Sequence, residues 1–443
     1  MIATPAPKKL DALVLGWEGG GNVPPTVGAV RALVERGHRV RVLGDDSMLG
    51  EMRRAGARTL PWRRAPNRQD ASPQSCFARD WEAPDPISAF VAWAKAIFVG
   101  PALLHAEDVV EAARAEKTDV IIGSDLLFGG MIAAEALNLP SALLAANVSL
   151  LRLPGHPPFG PGMAPARNEA ELRAQDDAAQ QVDAMFDGFL PTLNEARARF
   201  GLTPLSRTLD QMRPDRLLLA TSPAFDFPVP SLPDFIRYVG PILEEPAWAQ
   251  ASPESVGGVD ARPLVVVSFS TTYQGQEAAL TATLEALANM PVRGVATLGK
   301  GLDGKKIAAP ENVRIVAGAS HDALLARAAA IVTHAGHGTT LRALRAGVPI
   351  VALPMGRDQN DNAARIEYHG AGLRLDPSAS SQNIETALRR VIEEPHFAAN
   401  AQRLSHALSR EAPSTRRFVE EIEAMMRDQR ATSTFQRVKC GAA

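Results

Sequence analysis

The chain has 443 residues, 46% hydrophobic and 22% charged, enough apolar material for two cores of about 200 residues each. A formal net charge of −2 leaves no basic footprint for nucleic acid or an anionic membrane, and two cysteines, Cys76 and Cys440, build neither a disulfide framework nor a zinc site. The composition points to a small-molecule enzyme. MIATPAPKK leads straight into an apolar strand without a signal-peptide pattern, and no apolar run is expected to reach the ~18 residues that span a bilayer. A cytoplasmic protein without an integral membrane segment is therefore expected.

The first half opens as a βαβ unit. A strand over Asp11 to Gly16 precedes the glycine loop Trp17 to Pro25, a helix over Thr26 to Arg36 and a strand over His38 to Leu43. The loop lies at the carboxyl end of its strand, where doubly wound sheets bind ligands. Arg53 to Ala83 reads as loop with at most short helices. Ile87 to Phe98 and Glu107 to Ala115 read as amphipathic helices, whose Phe90, Trp93 and Phe98 face either core or cleft. Thr118 to Asp125 is a buried parallel strand ending in a carboxylate, followed by a helix (Met131 to Leu137) and a strand (Ser141 to Ala146). The irregular LPGHPPFGPGMAPAR stretch, Leu153 to Arg167, carries His156 and Phe159 and reads as the wall of a site; Glu169 to Phe200 supplies one or two helices over it.

Repeated prolines from Ser222 to Arg262 mark an interdomain connection. The second half restarts with strands at Leu264 to Phe269, Gly294 to Leu298 and Val313 to Val316, with Ser270-Thr271-Thr272 and Ala319-Ser320-His321 at strand ends. A strand (Ala330 to Thr333) then meets the glycine turn Ala335 to Gly338 and a helix from Thr339 to Ala346. Gly336 and Gly338 let a ligand approach the backbone, the helix N-terminus favours an anion, and His334, His337, Thr339 and Thr340 add side-chain donors. Pro395 to Met426 is helical, and the polar residues 427–443 are expected to be disordered. The histidines show no metal-ligand spacing.

The block from Ile331 to Leu375 resembles the nucleotide-sugar box of the family 1 (UGT-like) GT-B glycosyltransferases of bacterial type. His334, Gly336, Gly338 and Thr339 match H-x-G-x-G-T, and Gly347-Val348-Pro349, Pro354, Asp358-Gln359, Asn362-Ala363 and Gly370-Ala371-Gly372 complete the pattern. The resemblance covers the whole box and, more loosely, most of the chain. It implies two doubly wound Rossmann-like α/β domains facing across a cleft: an acceptor domain (1–221), a linker (222–262), a nucleotide-sugar domain (263–394) and helices crossing back (395–426). It implies inverting, metal-independent transfer of a hexose from a UDP-sugar co-substrate, with no cofactor, to a hydroxyl of an apolar acceptor such as a phenolic or polyketide natural product, by a monomer or homodimer. By the same resemblance, His334, Gly336, His337, Gly338, Thr339 and Thr271 surround the diphosphate, Ser320 and His321 stand near the base, and Asp358 and Gln359 hold sugar hydroxyls. Phe90, Trp93, His156 and Phe159 are assigned to the acceptor.

Two positions depart from the family. Arg342 replaces a glutamate that grips the ribose and cannot accept hydrogen bonds, which leaves a thymidine nucleotide open, whereas the Asp-Gln pair favours glucose. Asn22 replaces the catalytic histidine of the G-H-V-x-P loop and cannot act as a general base; it either caps the following helix or orients the acceptor. Asp125, at the position of the aspartate that supports that histidine, becomes the leading candidate base if shielding raises its pKa, and His156 is a substitute; a capping role for Asp125 stays open. A dTDP-sugar-dependent natural-product transferase, a nucleotide-sugar 2-epimerase and a non-catalytic auxiliary protein of this fold remain alternatives.

Overall fold

The computed structural model describes residues 9–246, 249, 261–302 and 304–440. In the first half, strands β1 (Asp11–Leu15), β2 (Arg39–Gly44), β3 (Arg58–Pro61), β4 (Val120–Ser124), β5 (Ser141–Ala145), β6 (Arg216–Leu219) and β7 (Ile236–Tyr238) form one sheet in the order β3-β2-β1-β4-β5-β6-β7. Every pairing is parallel. Its helices are α1 (Val23–Glu35), α2 (Asp46–Arg54), α3 (Pro86–Trp93), α4 (Ala102–Ala115), α5 (Phe128–Leu137), α6 (Glu169–Asp187) and α7 (Leu190–Ala198).

The second half repeats the plan. Strands β8 (Leu264–Ser268), β9 (Arg293–Thr297), β10 (Val313–Val316), β11 (Ala328–Thr333), β12 (Ile350–Ala352) and β13 (Gly372–Arg374) pair in parallel in the order β10-β9-β8-β11-β12-β13. Helices α8 (Glu277–Ala288), α9 (His321–Leu325), α10 (His337–Arg345), α11 (Gln359–Tyr368), α12 (Ser381–Glu393), α13 (Pro395–Ser409) and α14 (Ser414–Cys440) complete it. Both sheets reverse strand order, at β1/β4 and at β8/β11, and the carboxyl ends beside those switch points are where doubly wound sheets hold ligands. The two ends face each other, which is the GT-B arrangement.

Covered on both faces, the central strands are buried along their length, so they read in sequence as unbroken apolar runs rather than alternating ones. The N-terminal domain completes one face with chain from the far end: Phe418, Val419, Ile422, Met425 and Met426 of α14 enter the core beside Val27 and Val30 of α1. Arg36 donates to both oxygens of Glu423 on the same helix.

Four expectations are corrected. Arg53 to Ala83 contains β3, an edge strand that starts on Arg58 and ends on Pro61. Residues 222–262 are not a plain connection: Ile236–Tyr238 is β7 of the first sheet, while residues 250–260 lie outside the described residues. Residues 427–440, expected to be disordered, continue α14, and 441–443 lie outside the described residues. Lastly, Ile87–Ala115 is long and apolar enough to cross a membrane, with a mean hydropathy of 1.8 over its best window. Here that run bends at a π turn (Ala94–Phe98) and at Gly100, where a Cβ would lie 1.8 Å from the Lys95 carbonyl oxygen, and it gives Trp93, Phe98, Val99 and Val109 to the core.

Candidate active site

Between the domains lies a cavity of about 850 Å³ lined by both. On the C-terminal side, β11 ends at His334 and the chain turns through Ala335, whose φ of 62° is left-handed, into Gly336, the N-cap of α10. A Cβ on Gly336 would lie 2.4 Å from His334 Nε2, so glycine is what lets the imidazole lie across the turn. Nothing lies within 4 Å of a Cβ built on Gly338. The free N–H groups of α10 thus open onto the cavity as an anion site.

The side chains around this turn are dipolar rather than charged. Burial, reinforced by the nearby Arg357 guanidinium, pushes the His334 pKa down to about 3, and its Nδ1 meets Thr333 Oγ1 at 3.3 Å. His337, also lowered by burial, lines the cleft but commits Nδ1 to Asn362 Oδ1 at 3.1 Å. Thr339 faces the cleft; Thr340 is fully buried and absent from the lining, against the expectation that both hydroxyls face the ligand.

On the following loop Asp358 lines the cleft and accepts from Asn362 Nδ2 at 2.9 Å. Gln359 has little left for a sugar: its Oε1 accepts from Met355 N (2.7 Å) and its Nε2 donates to Gln274 Oε1 (2.9 Å). Arg357, before them, has a left-handed φ of 57°, which costs a non-glycine residue about 1–2 kcal/mol. It reaches across to the first domain, donating from Nε to Asp80 Oδ2 at 2.8 Å, while Nη1 donates to Thr272 Oγ1 at 2.8 Å. Thr271 lines the cleft beside it. His321 lines the cleft, half-buried, near Ser268 Oγ (3.1 Å), its pKa pushed down to about 4 by desolvation. Ser320 is turned away and does not line the cleft, because its Oγ caps α9 at Ala323 N and donates to Glu245 Oε1 at 2.7 Å. Arg342 is buried at the cleft wall and paired with Asp322 at 2.8 Å.

On the N-terminal side Asn22 occupies the N-cap position of α1 but does not cap it with its side chain. Its Oδ1 accepts from Gly19 N (3.0 Å) and its Nδ2 donates to Trp17 O (2.9 Å), closing the glycine loop on itself. Glu18 and Asp45 brace that loop: Glu18 accepts from Gly20 N, Asp45 accepts from Glu18 N and Arg68 N, and burial pushes Asp45 up to about 6. Asp125 follows β4 and is 2% exposed. Burial first, and the Asp358 charge across the cleft, push its pKa up to about 7 against the hydrogen bond from Ser124 Oγ (3.3 Å). Its Oδ2 has no hydrogen-bond partner among the described residues.

Phe90, Trp93, Phe98 and Phe159 line the same cavity, joined by Trp17, Val182 and Met185, which sequence reasoning did not assign to it. His156 does not reach it. Its Nε2 meets Phe227 O at 2.9 Å behind the wall, burial lowers its pKa, and neither the acceptor role nor the substitute-base role fits that position. The loop bearing Phe159 is docked onto the other domain: Asp361 of α11 accepts from Gly160 N (2.7 Å) and Gly162 N (3.1 Å). Among the described residues no group of three His, Cys, Asp or Glu gathers to hold a metal.

Two facing Rossmann-like domains with an anion-binding turn opposite a buried carboxylate define a GT-B sugar-transfer site. Residues 281–425 match the family model described as erythromycin biosynthesis protein CIII-like, C-terminal domain. Over 403 residues the chain is 30% identical to 4′-demethylrebeccamycin synthase of Lentzea aerocolonigenes, covering 88% of this chain and 94% of that one. It is 29% identical over 283 residues to zeaxanthin glucosyltransferase of Pseudescherichia vulneris, covering 62% and 66%. Among solved structures, the calicheamicin glycosyltransferase CalG4 superposes with a TM-score of 0.72 over 95% of this chain and 98% of its own, at 20% identity. VinC, in complex with dTDP, gives 0.67 over 95% and 100%, at 20% identity. The chain belongs to the family 1 GT-B glycosyltransferases of bacterial natural-product type, proteins that join a sugar donor to a small-molecule acceptor.

Proposed function

We propose that the protein transfers a hexose, glucose foremost, from a UDP-sugar to a hydroxyl of an apolar phenolic or polyketide acceptor, with inversion and without a metal ion. The observation that carries this reading is the unpartnered Oδ2 of Asp125, buried in the aromatic side of the cleft opposite the α10 turn. Asp125 takes the proton of the acceptor hydroxyl as that oxygen attacks the anomeric carbon, and the bond to the diphosphate breaks on the opposite face. Charge gathering on the leaving oxygen is met by the α10 N–H groups and the neutral imidazole of His334. Asn22 keeps the glycine loop in shape and takes no proton. Asp358 remains to hold sugar hydroxyls, and the glucosyl donor is in keeping with the zeaxanthin glucosyltransferase likeness.

A second donor, a dTDP-deoxysugar, is favoured by two observations: Arg342 stands where a ribose acceptor is expected, and Gln359 is spent on internal bonds. The test is a two-way screen of UDP-glucose and dTDP-sugars against phenolic and polyketide acceptors, in EDTA, read by mass spectrometry. Glycoside formed from UDP-glucose in EDTA is the expected product. Turnover only with a dTDP-sugar replaces the donor, release of an altered sugar without acceptor indicates an epimerase, and no turnover with any pair indicates an auxiliary protein.

A further inference from the structure

A nucleoside diphosphate brings at least two negative charges into this cleft and gains more as its sugar leaves, yet the histidines beside the α10 turn are held neutral by burial. The donors at the turn itself are dipoles, and of the other cations lining the cavity Arg342 is paired with Asp322. Arg357 is a cation in the right place. Its guanidinium lines the same cavity as His334, Gly338 and Thr339, and it is the largest charged influence on His334. Its Nη1 holds Thr272 Oγ1 at 2.8 Å on the loop beside the turn, and its Cζ lies over the Trp93 ring, 4.7 Å from the centroid. The remaining edge forks onto Asp80 of the opposite domain, Nε to Oδ2 at 2.8 Å and Nη2 to Oδ1 at 3.2 Å.

That fork is the geometry a guanidinium offers equally to a carboxylate or to a phosphate. A carboxylate with one charge is therefore standing on the edge of Arg357 that a diphosphate would engage. Gly356 and Arg357 both have positive φ (135° and 57°) just before α11, and the Arg357 side chain lies in the cleft. We infer that Arg357 is a substrate-contacting cation for the donor's diphosphate, and that Asp80 competes with the diphosphate for it. This rests on the reading of the ligand as a nucleoside diphosphate.

A simple strut between domains makes a different prediction. Were the ion pair only a strut, removing either partner would loosen the cleft and weaken nucleotide binding in the same direction. If Arg357 is the diphosphate's partner, the two substitutions act oppositely. Calorimetric titration of the full chain with UDP and dTDP should show Arg357→Gln weakening the better-bound nucleotide tenfold or more, a size typical of a lost charge-assisted bond. Arg357→Lys, which keeps the charge without the fork, should fall between, and Asp80→Asn should tighten binding severalfold. Uridine monophosphate, lacking the distal phosphate, should respond less to Arg357→Gln than UDP does. Thermal melts identify any variant that fails to fold, in which case Arg357→Lys and Asp80→Asn carry the comparison. Binding of UDP within twofold of the parent in Arg357→Gln, or weakening in Asp80→Asn parallel to it, overturns the inference while leaving the donor reading in place. If neither UDP nor dTDP binds the parent protein, the donor reading itself fails and the inference with it.

Discussion

Asp125→Asn separates a working carboxylate from a structural one, because it should move stability and activity in opposite directions. The carboxyl titrates near 7 instead of 3.8, so the site disfavours its charged form by up to about 4 kcal/mol. The sign follows from the raised pKa. Between about pH 4 and 7 the unfolded chain has released this proton and the folded one has not, so stability falls as pH rises through that window and stays at its lower level above it. Asparagine has the same shape and no charge to bury. At about pH 8 Asp125→Asn should therefore melt higher than the parent in scanning calorimetry, while transfer to an aliphatic alcohol drops ~10²- to 10⁴-fold, the usual contribution of a general base. A phenol of low pKa should lose less, since it parts with its proton more easily. The parent's kcat/KM should rise with pH through about 7 to a plateau, a rise the variant lacks. Near-normal rates on both acceptor types, or a variant that melts lower at about pH 8, would refute the reasoning.

Three further outcomes are expected. His334→Ala should lower kcat/KM ~10²-fold with donor saturation slowed as well, and unchanged donor kinetics would remove the diphosphate from this turn. His321 and His334 titrate near 4 and 3 when folded but near 6.5 when unfolded, so their contribution to stability is present above 6.5 and is lost as pH falls, opposite in sign to that of Asp125; the drop in urea midpoint from about pH 7 to 5 should therefore be smaller in His321→Gln and in His334→Gln than in the parent, and equal drops would contradict their burial as neutral rings. Asp361→Asn leaves one oxygen where two now receive Gly160 N and Gly162 N, so the Phe159 loop should loosen. Acceptor KM should rise severalfold and trypsin should cut the loop faster, with nucleotide affinity unchanged; an altered nucleotide affinity with an unaltered acceptor KM would show the tie serves the other domain.

The glycine turn before α10 was legible because its parts are local. A strand end, two glycines and a helix start lie within a few residues, and each fixes the next through backbone geometry. The same locality revealed that Asn22 follows the first glycine loop, but not that its amide folds back onto Trp17 and Gly19, a matter of one torsion. His156 misled because its partner, the Phe227 carbonyl, lies 71 positions away and turns the ring behind the wall. Arg357 gave no signal at all, since Asp80 is 277 positions distant. Arg58–Pro61, Arg216–Leu219, Ile236–Tyr238 and Gly372–Arg374 were not legible as strands: three are sheet edges and the other neighbours one, and each is only three or four residues long, too short for the apolar run that marks a central strand. The Asp-Gln pair was legible as a motif, yet the packing of Gln359 against Gln274 could only be seen in three dimensions.

The crossing of α14 onto α1 also sets an order of assembly. Arg36 and Glu423, partners across that contact, are 387 positions apart. At a synthesis rate of about 5–20 residues per second, roughly 20–80 s separate their appearance on the ribosome. Through that interval the face of α1 with Val27 and Val30 lacks the cover α14 later gives it, and even once β7 completes the sheet at Tyr238 that part of the cluster stays open. The first domain to be translated is thus the last to be finished, and its exposed face is a natural client for a chaperone until the final helix arrives.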